Sequence, residues 1–351
     1  MDNLQARITL LLERWHDSRT IGYRSFPSGN NNQITDVQGV SVGHSTLSDQ
    51  NHQTGVTAIL PMQGNIYQKP LPCGFAVLNG FSKPTGLIQI EELGVLETPI
   101  ILTNTLCVGR GFSGLVRYMI KNNPEIGRSS PTVNPLVLEC NDGYLNDIQA
   151  MAVSEELVID TLLKTSTDFD RGSVGAGRGM SCFSLKGGIG TSSCYISTLK
   201  ATLGVLVLAN FGALSALQLE GIPLGETIKA QLAQHQEQYD KGSIIIIMAT
   251  DAPLNARQLK RVAKRAGAGL GRLGSYWGHG SGDIAVAFST KTNAEPFDEN
   301  KIEPLLKAAA EATEDAVLDA LLQATPVTGF QGHQRHTLAD ILDQLSAKAF
   351  L

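Results

Sequence analysis

Short runs of apolar, often β-branched residues alternate along this chain with longer segments whose apolar positions recur every three to four residues. Val56–Leu60, Phe75–Leu78, Leu136–Leu138, Val205–Leu208, Ile244–Ala249 and Ile284–Phe288 read as buried strands. Phe112–Lys121, Glu155–Lys164, Asn255–Ala266, Lys301–Leu322 and Leu338–Lys348 read as helices. Met1 to Thr20 reads as an amphipathic helix in which Leu4, Ile8, Leu11, Leu12 and Trp15 share a face. That segment carries Asp2, Arg7, Glu13 and Arg14 and has no continuous apolar centre, so a signal peptide is not expected. No stretch reaches the roughly 18 uninterrupted apolar residues of a membrane span. The pattern by itself supports a mixed α and β fold. No internal repeat or low-complexity tract interrupts it, and Gly225–Lys241 reads as its most flexible segment.

Composition agrees with a compact enzyme. The chain has 351 residues, of which 42% are apolar and only 17% charged, enough for a large core. Its 36 glycines exceed ordinary usage and imply tight turns and close backbone approaches. Net charge is −5, and the densest basic cluster, Lys260-Arg261 with Lys264-Arg265, falls on one predicted helix as a solvated face. No nucleic-acid partner is expected, because no basic surface is patterned for one. Cys73, Cys107, Cys140, Cys182 and Cys194 are odd in number and form no C-x-x-C pair. They read as buried free thiols in a cytoplasmic, reducing setting, with no disulfide framework and no zinc site. His44, His279 and His333 are not spaced as a metal set, so no metal and no cofactor is expected.

Two glycine motifs carry less than their letters suggest. Gly269-x-Gly271-x-x-Gly274 matches a dinucleotide fingerprint as a string, but it follows a predicted helix rather than a strand. Turn chemistry is the better explanation. Gly175-Ala176-Gly177-Arg178-Gly179 reads as loop rather than phosphate cradle.

The chemistry centres on Lys241-Gly242-Ser243, which leads into Ile244-Ile245-Ile246-Ile247-Met248. A hydroxyl stands where a polar segment enters a core strand. Gly-Ser before a strand is commonly just a turn. If the Gly242–Ser243 bond is cut, however, Ser243 carries a free α-amine beside its own hydroxyl. That amine has an unperturbed pKa of about 7.7–8.0 and serves as a local general base near neutral pH.

A series of ordered motifs gives this dipeptide its context. Gly242-Ser243 with Asp251 and Pro253 downstream resembles the start of the small chain of the L-aminopeptidase/D-alanyl-esterase-amidase family, which includes β-peptidyl aminopeptidases. Ile34-Thr35-Asp36-Val37-x-Gly39-Val40-x-Val42-Gly43-His44 and Thr54-Gly55-Val56-Thr57-Ala58-Ile59-Leu60-Pro61 resemble its N-terminal region. Glu139-Cys140-Asn141-Asp142-Gly143-Tyr144-Leu145-Asn146-Asp147, Lys186-Gly187-Gly188-Ile189-Gly190-Thr191 and Ala209-Asn210-Phe211-Gly212 follow in the family's order. Gly280-Ser281-Gly282-Asp283 and Thr328-Gly329-Phe330-x-Gly332-His333 complete a match running from about residue 30 to about 335. The resemblance implies a self-cleaving N-terminal-nucleophile hydrolase with a four-layer α/β/β/α sandwich. It further implies one catalytic domain, 1–351, processed into a 1–242 large chain and a 243–351 small chain.

The resemblance also distributes roles. Ser243 is the nucleophile, first against the Gly242 carbonyl and then against substrate. Asn210 stabilises the oxyanion through its amide N–H, an effect worth about 3–4 kcal/mol in comparable sites. Its alternative is a strand-end residue capping a turn. Tyr144 donates to the oxyanion or holds the substrate amine, or simply packs on its loop. Ser281 relays hydrogen bonds to the Ser243 hydroxyl or α-amine, and Asp283 orients or charge-stabilises that amine. Some relatives carry Glu where Asp283 stands, which changes the reach by one methylene. Tyr276, Trp277 and His279 add bulk near Ser281 and narrow the pocket relative to some relatives. Asp251 reads as a turn residue ahead of Pro253. The implied partners are short peptides, amino-acid amides or esters, with a homotetramer of processed protomers. Two other readings remain: an acyltransferase of ornithine-acetyltransferase-like architecture, whose nucleophile is threonine, and an unprocessed, non-catalytic binding protein.

Overall fold

The computed structural model describes residues 2–18, 24–232, 241–292 and 295–349. Its longer strands begin with β1 (Ser41–Ser48), β2 (Gln53–Leu60) and β3 (Leu71–Gly80), followed by β4 (Val95–Leu96), β5 (Ile100–Asn104) and β6 (Leu136–Cys140). A short hairpin, β7 (Ser181–Cys182) and β8 (Leu185–Lys186), precedes β9 (Gly188–Ile196), β10 (Ala201–Asn210), β11 (Lys241–Thr250) and β12 (Gly280–Ser289). The helices are α1 (Asp2–Ser18), α2 (Leu87–Leu93), α3 (Val108–Asn122), α4 (Glu155–Leu163) and α5 (Leu224–Gln231). They continue with α6 (Ala256–Ala263), α7 (Ala266–Arg272), α8 (Glu303–Leu322) and α9 (Leu338–Ala349).

Two sheets are stacked. One has the order β1-β2-β5-β6, the other β4-β3-β12-β11-β10-β9. Strand alternation decides how the six-stranded sheet is used. Ile244, Ile246 and Met248 of β11 join one apolar cluster, while Ile245, Ile247 and Ala249 join another. Leu203, Val205 and Val207 of β10 divide from Leu206 and Leu208 in the same way. The first cluster lies under α6, α7, α8 and α9, and the second fills the space between the sheets and reaches α3 and α4. The expected α/β/β/α sandwich is therefore present, with both faces of the β11 strand buried. That burial explains why its sequence is a continuous apolar run rather than an alternating one.

Close approach explains several glycines. α8 lies on β9 and β10, and a Cβ on Gly190 would meet the Ala316 carbonyl oxygen at 2.0 Å. The buried small residues Ala308, Ala309, Ala312, Ala316 and Ala320 give α8 the thin face that this contact needs.

Four expectations change. The predicted helix Asn255–Ala266 is two helices: Asn255 caps α6 with its side chain, and the chain breaks at Lys264 before α7 starts. Gly269 and Gly271 belong to α7 rather than to a turn, and Gly269 is needed there because a Cβ would meet the Ala310 carbonyl oxygen at 2.5 Å. Only Gly274, at φ +93°, does turn work there. The segment Gly225–Lys241 is not uniformly loop, since Gly225 to Gln231 lie in α5, and residues 233–240 lie outside the described residues. Strands β1, β5 and β9 were not predicted; β1 and β9 are rich in Ser and Gly, which hide strand character. All five cysteines are buried free thiols, as expected. Among the described residues, no helix is long and apolar enough to cross a membrane.

Candidate active site

The antiparallel register of β10 and β11 puts Asn210 directly opposite Ser243, on the face of the sheet that looks toward β6. Parallel pairing of β11 with β12 puts Gly282 beside Ser243 on the other side. Ser243 Oγ accepts the Gly282 N–H at 3.3 Å and is 5% exposed. A free thiol fastens the neighbouring sheet at this point. Cys140 Sγ, at the end of β6, donates to the Ser243 carbonyl at 3.3 Å and to the Leu208 carbonyl at 3.5 Å. Burial pushes that thiol well above its usual pKa, so it keeps the proton it donates.

Gly242 has a physical reason to be glycine. Its φ is +123°, and a Cβ would lie 2.0 Å from the Asn210 carbonyl oxygen. No L side chain fits both constraints. In this structure Ser243 is an internal residue, and its nitrogen is a peptide N–H.

The Asn210 amide is locked in one orientation. Its Oδ1 accepts the Ser181 N–H at 2.8 Å, and its Nδ2 donates to the Asn141 carbonyl at 2.9 Å. The second N–H on Nδ2 remains for the cavity that Asn210 lines. A buried cation sets the loop that supplies Ser181. Lys186 Nζ donates to the carbonyls of Gly177, Met180 and Gly187 at 3.2, 3.0 and 2.6 Å. Burial, with a smaller contribution from Arg178, pulls this lysine down to a pKa of about 7.

Ser281 Oγ donates to Asp283 Oδ1 at 2.6 Å, and both residues are 1% exposed. Because Gly282 pairs with Ser243, strand alternation places Ser281 and Asp283 on the opposite face of the sheet from the Ser243 hydroxyl. The pair therefore runs beside the Ser243 backbone rather than beneath Oγ.

A cavity of about 870 Å³ opens over these groups, lined among others by Asn141, Tyr144, Asn210, Gly242, Ser243 and Tyr276. Tyr144 is 39% exposed and stacks on His333, with ring centres 4.5 Å apart and planes 4° apart. The expected aromatic and histidine rim is partly present, since Tyr276 and His279 line the cavity while Trp277 lies in a neighbouring groove.

The structure brings together Ser243, Asn210, Tyr144 and Gly242 at this cavity, with the Ser281–Asp283 pair on the adjoining strand. It adds Glu139. That carboxylate lines the cavity and accepts the Ser82 hydroxyl at 2.8 Å, the Lys83 N–H at 2.9 Å and the Thr105 hydroxyl. The available signal was an acidic residue directly after the apolar run Leu136–Leu138. Asp251 is a strand-end residue whose Oδ1 accepts the Thr202 N–H at 2.7 Å. Among the described residues, no group of three or more His, Cys, Asp or Glu is placed to hold a metal ion.

Two stacked sheets between helical layers, with a hydroxyl, an amide and a carboxylate converging on a cavity at the strand ends, define a hydrolase of the N-terminal-nucleophile architecture. The chain belongs to peptidase family S58, whose model matches residues 32–335. It is 36% identical over 340 residues to the β-peptidyl aminopeptidase BapA of Sphingosinicella microcystinivorans, covering 87% of this chain and 85% of that protein. A Burkholderia sp. β-aminopeptidase superposes with a TM-score of 0.85 at 36% identity, covering 93% of this chain and 97% of its own. The L-aminopeptidase D-Ala-esterase/amidase of Ochrobactrum anthropi, described as a variant of the Ntn hydrolase fold, superposes with a TM-score of 0.83 at 30% identity. It covers 94% of this chain and 97% of its own. A protein from Pyrococcus horikoshii OT3 reaches a TM-score of 0.86 at 46% identity, with 93% and 96% coverage.

Proposed function

We propose that this protein is an autoprocessed serine aminopeptidase that releases N-terminal residues from short peptides, amides or esters. The observation that carries the reading is the pairing of Ser243 with Asn210 at the cavity floor. In the precursor, Ser243 Oγ attacks the Gly242 carbonyl carbon and the Gly242–Ser243 C–N bond breaks. The acyl group passes to Oγ as an ester and the nitrogen becomes the α-amine. Water then hydrolyses the ester, freeing the Gly242 carboxylate and the hydroxyl. In the processed enzyme the α-amine takes the Oγ proton as Oγ attacks the substrate carbonyl. The free N–H of Asn210 meets the resulting oxyanion, and the proton passes to the leaving amine. Water, giving its proton to the same α-amine, then attacks the acyl ester. The C–Oγ bond breaks, and the residue leaves as a carboxylate with the Ser243 hydroxyl restored.

The substrate's own amine needs an anion, and Glu139 is the acidic side chain on the cavity wall. A substrate ammonium there fixes the N-terminal residue over Ser243, which makes the enzyme an aminopeptidase rather than an endopeptidase. Asp283, through Ser281, supports the charged form of the Ser243 amine. The names of the β-peptidyl relatives support β-residues as substrates alongside α-residues. One preparation tests the reading: a denaturing gel with N-terminal sequencing, together with hydrolysis of alanine p-nitroanilide. A new terminus at Ser243 with amide cleavage supports it, and an intact chain without cleavage refutes it.

A further inference from the structure

The cavity contains a second charged group that acyl transfer does not use. Arg335 lines the wall and is partly buried. Its Nε donates to Ser181 Oγ at 3.3 Å, and its guanidinium carbon lies 3.7 Å from the centre of the Tyr144 ring. Tyr144 is itself held by its stack on His333 and by the 2.7 Å contact between His333 Nδ1 and the Tyr144 carbonyl oxygen. The guanidinium is thus fixed in plane by the tyrosine and along one edge by the serine.

Among the described residues Arg335 makes no ion pair. Glu139, the acid in the same cavity, accepts from Ser82, Lys83 N–H and Thr105 and, among the described residues, forms no ion pair with Arg335. Burial depresses the arginine from its usual pKa, yet arginine remains charged in proteins. A partly desolvated cation without an anion is costly, and stacking on one tyrosine offsets only part of that cost. The two Nη groups carry the fork of N–H donors that matches a carboxylate in bidentate geometry. Lys83 does not compete for this role, because it is exposed and sits 4.3 Å over the Phe81 ring.

We propose that Arg335 binds a carboxylate of the substrate, so that the cavity selects short peptides bearing a negative charge as well as a free amine. This rests on the peptidase reading above. The carboxylate has two sources: the α-carboxylate of the leaving residue, or the side chain of an acidic N-terminal residue.

Calorimetric binding to Ser243→Ala, an uncleaved chain like the one described here, tests the idea without turnover. One pair of probes is alanyl-alanine and its C-terminal amide. The other is aspartic acid amide and asparagine amide. The acidic member of one pair should bind about 10- to 100-fold more tightly than its neutral partner, as expected for a charge-assisted bidentate contact. Adding Arg335→Gln should abolish that preference. Arg335→Lys should keep only part of it, and this variant decides the matter if the glutamine variant does not fold. Preference in the first pair assigns the leaving-group carboxylate, and preference in the second assigns the side chain. No preference in either pair, or a preference that survives both substitutions, overturns the proposal. Failure of the unsubstituted protein to cleave alanine p-nitroanilide refutes the peptidase reading separately, because the binding comparison does not depend on turnover.

Discussion

Asn210 and Ser243 stand directly opposite each other across the β10–β11 ladder, and the same face of the sheet carries both side chains. Directly opposed residues bring their Cβ atoms to about 4.5–5.5 Å, which is the reach of a side-chain amide to an oxyanion formed at the neighbouring hydroxyl. Asn210→Ala should therefore lower kcat by about 10²–10³ with a much smaller change in KM, because the oxyanion exists only on the reaction path. Self-cleavage should slow as well. A fully processed Asn210→Ala enzyme with unchanged kcat would remove this residue from the mechanism.

Ser243→Ala should leave the chain whole and inactive, whereas the unsubstituted chain should yield pieces spanning residues 1–242 and 243–351. N-terminal sequencing and intact mass read the outcome. Fragments of Ser243→Ala that still begin at position 243 would mean that an outside protease makes the cut. Gly242→Ala probes the same bond from the other side. With φ at +123° and the Asn210 carbonyl 2.0 Å from where a Cβ would stand, this variant should misplace the scissile carbonyl and process slowly or not at all.

The proposed mechanism, with the α-amine of Ser243 as base, makes a pH prediction. It requires the unprotonated amine, so kcat/KM should rise with pH through an apparent pKa near neutrality. A nearby carboxylate favours the ammonium and raises that pKa. On the proposed mechanism, removing the charge in Asp283→Asn should move the rising limb to lower pH, with Ser281, which donates to Asp283 at 2.6 Å, as the proposed link to the amine. A profile of processed Asp283→Asn that superimposes on the unsubstituted enzyme would make the pair structural.

Asp142 offers a stability test beside the site. Burial raises its carboxyl to about 7, against about 3.9 in an unfolded chain. Between those values the folded state holds a proton that the unfolded state has lost, so this residue makes stability fall as pH rises from about 4 through about 7. The melting temperature of Asp142→Asn relative to the unsubstituted protein should therefore increase across that window and level off above it. A difference that does not vary with pH would show that Asp142 ionises normally.

What could be seen in the chain beforehand follows a physical division. The run Ile244–Met248 announced a strand buried on both faces, and its junction with Gly242-Ser243 marked a hydroxyl at the strand's entrance, which the structure places on the cavity. β1 and β9 escaped because their Ser and Gly residues carry little strand signal of their own, and no local pattern reports the elements that cover them. Gly269 of α7 looked like part of a turn because its cause is Ala310 of α8, some forty residues away in sequence. Glu139 was visible as a letter within a motif, but its role depends on Ser82, Lys83 and Thr105. Lys186 is the extreme case. Lysine is among the residues least often buried, so nothing in its type predicts a fully enclosed ammonium.

That lysine gives the last prediction. Lys186 touches neither Ser243 nor the cavity, yet it holds the Met180 carbonyl, and the next residue's N–H fixes the Asn210 amide. Lys186→Met keeps much of the side-chain volume and removes a donor from three buried carbonyls, of which Met180 keeps the Gly187 N–H and Gly177 keeps the Met180 N–H, a loss of about 0.5–1.5 kcal/mol for each hydrogen bond removed. The loop should shift, and Asn210 should lose its set orientation. A positioning role predicts a fall in kcat with KM little changed, together with slower self-cleavage, since both reactions use the same amide. Asn210→Ala should then abolish the extra effect of Lys186→Met, because the two substitutions act on one hydrogen-bonded chain. If the two losses instead multiply in the double variant, Lys186 supports the fold by another route and the link through Ser181 is wrong.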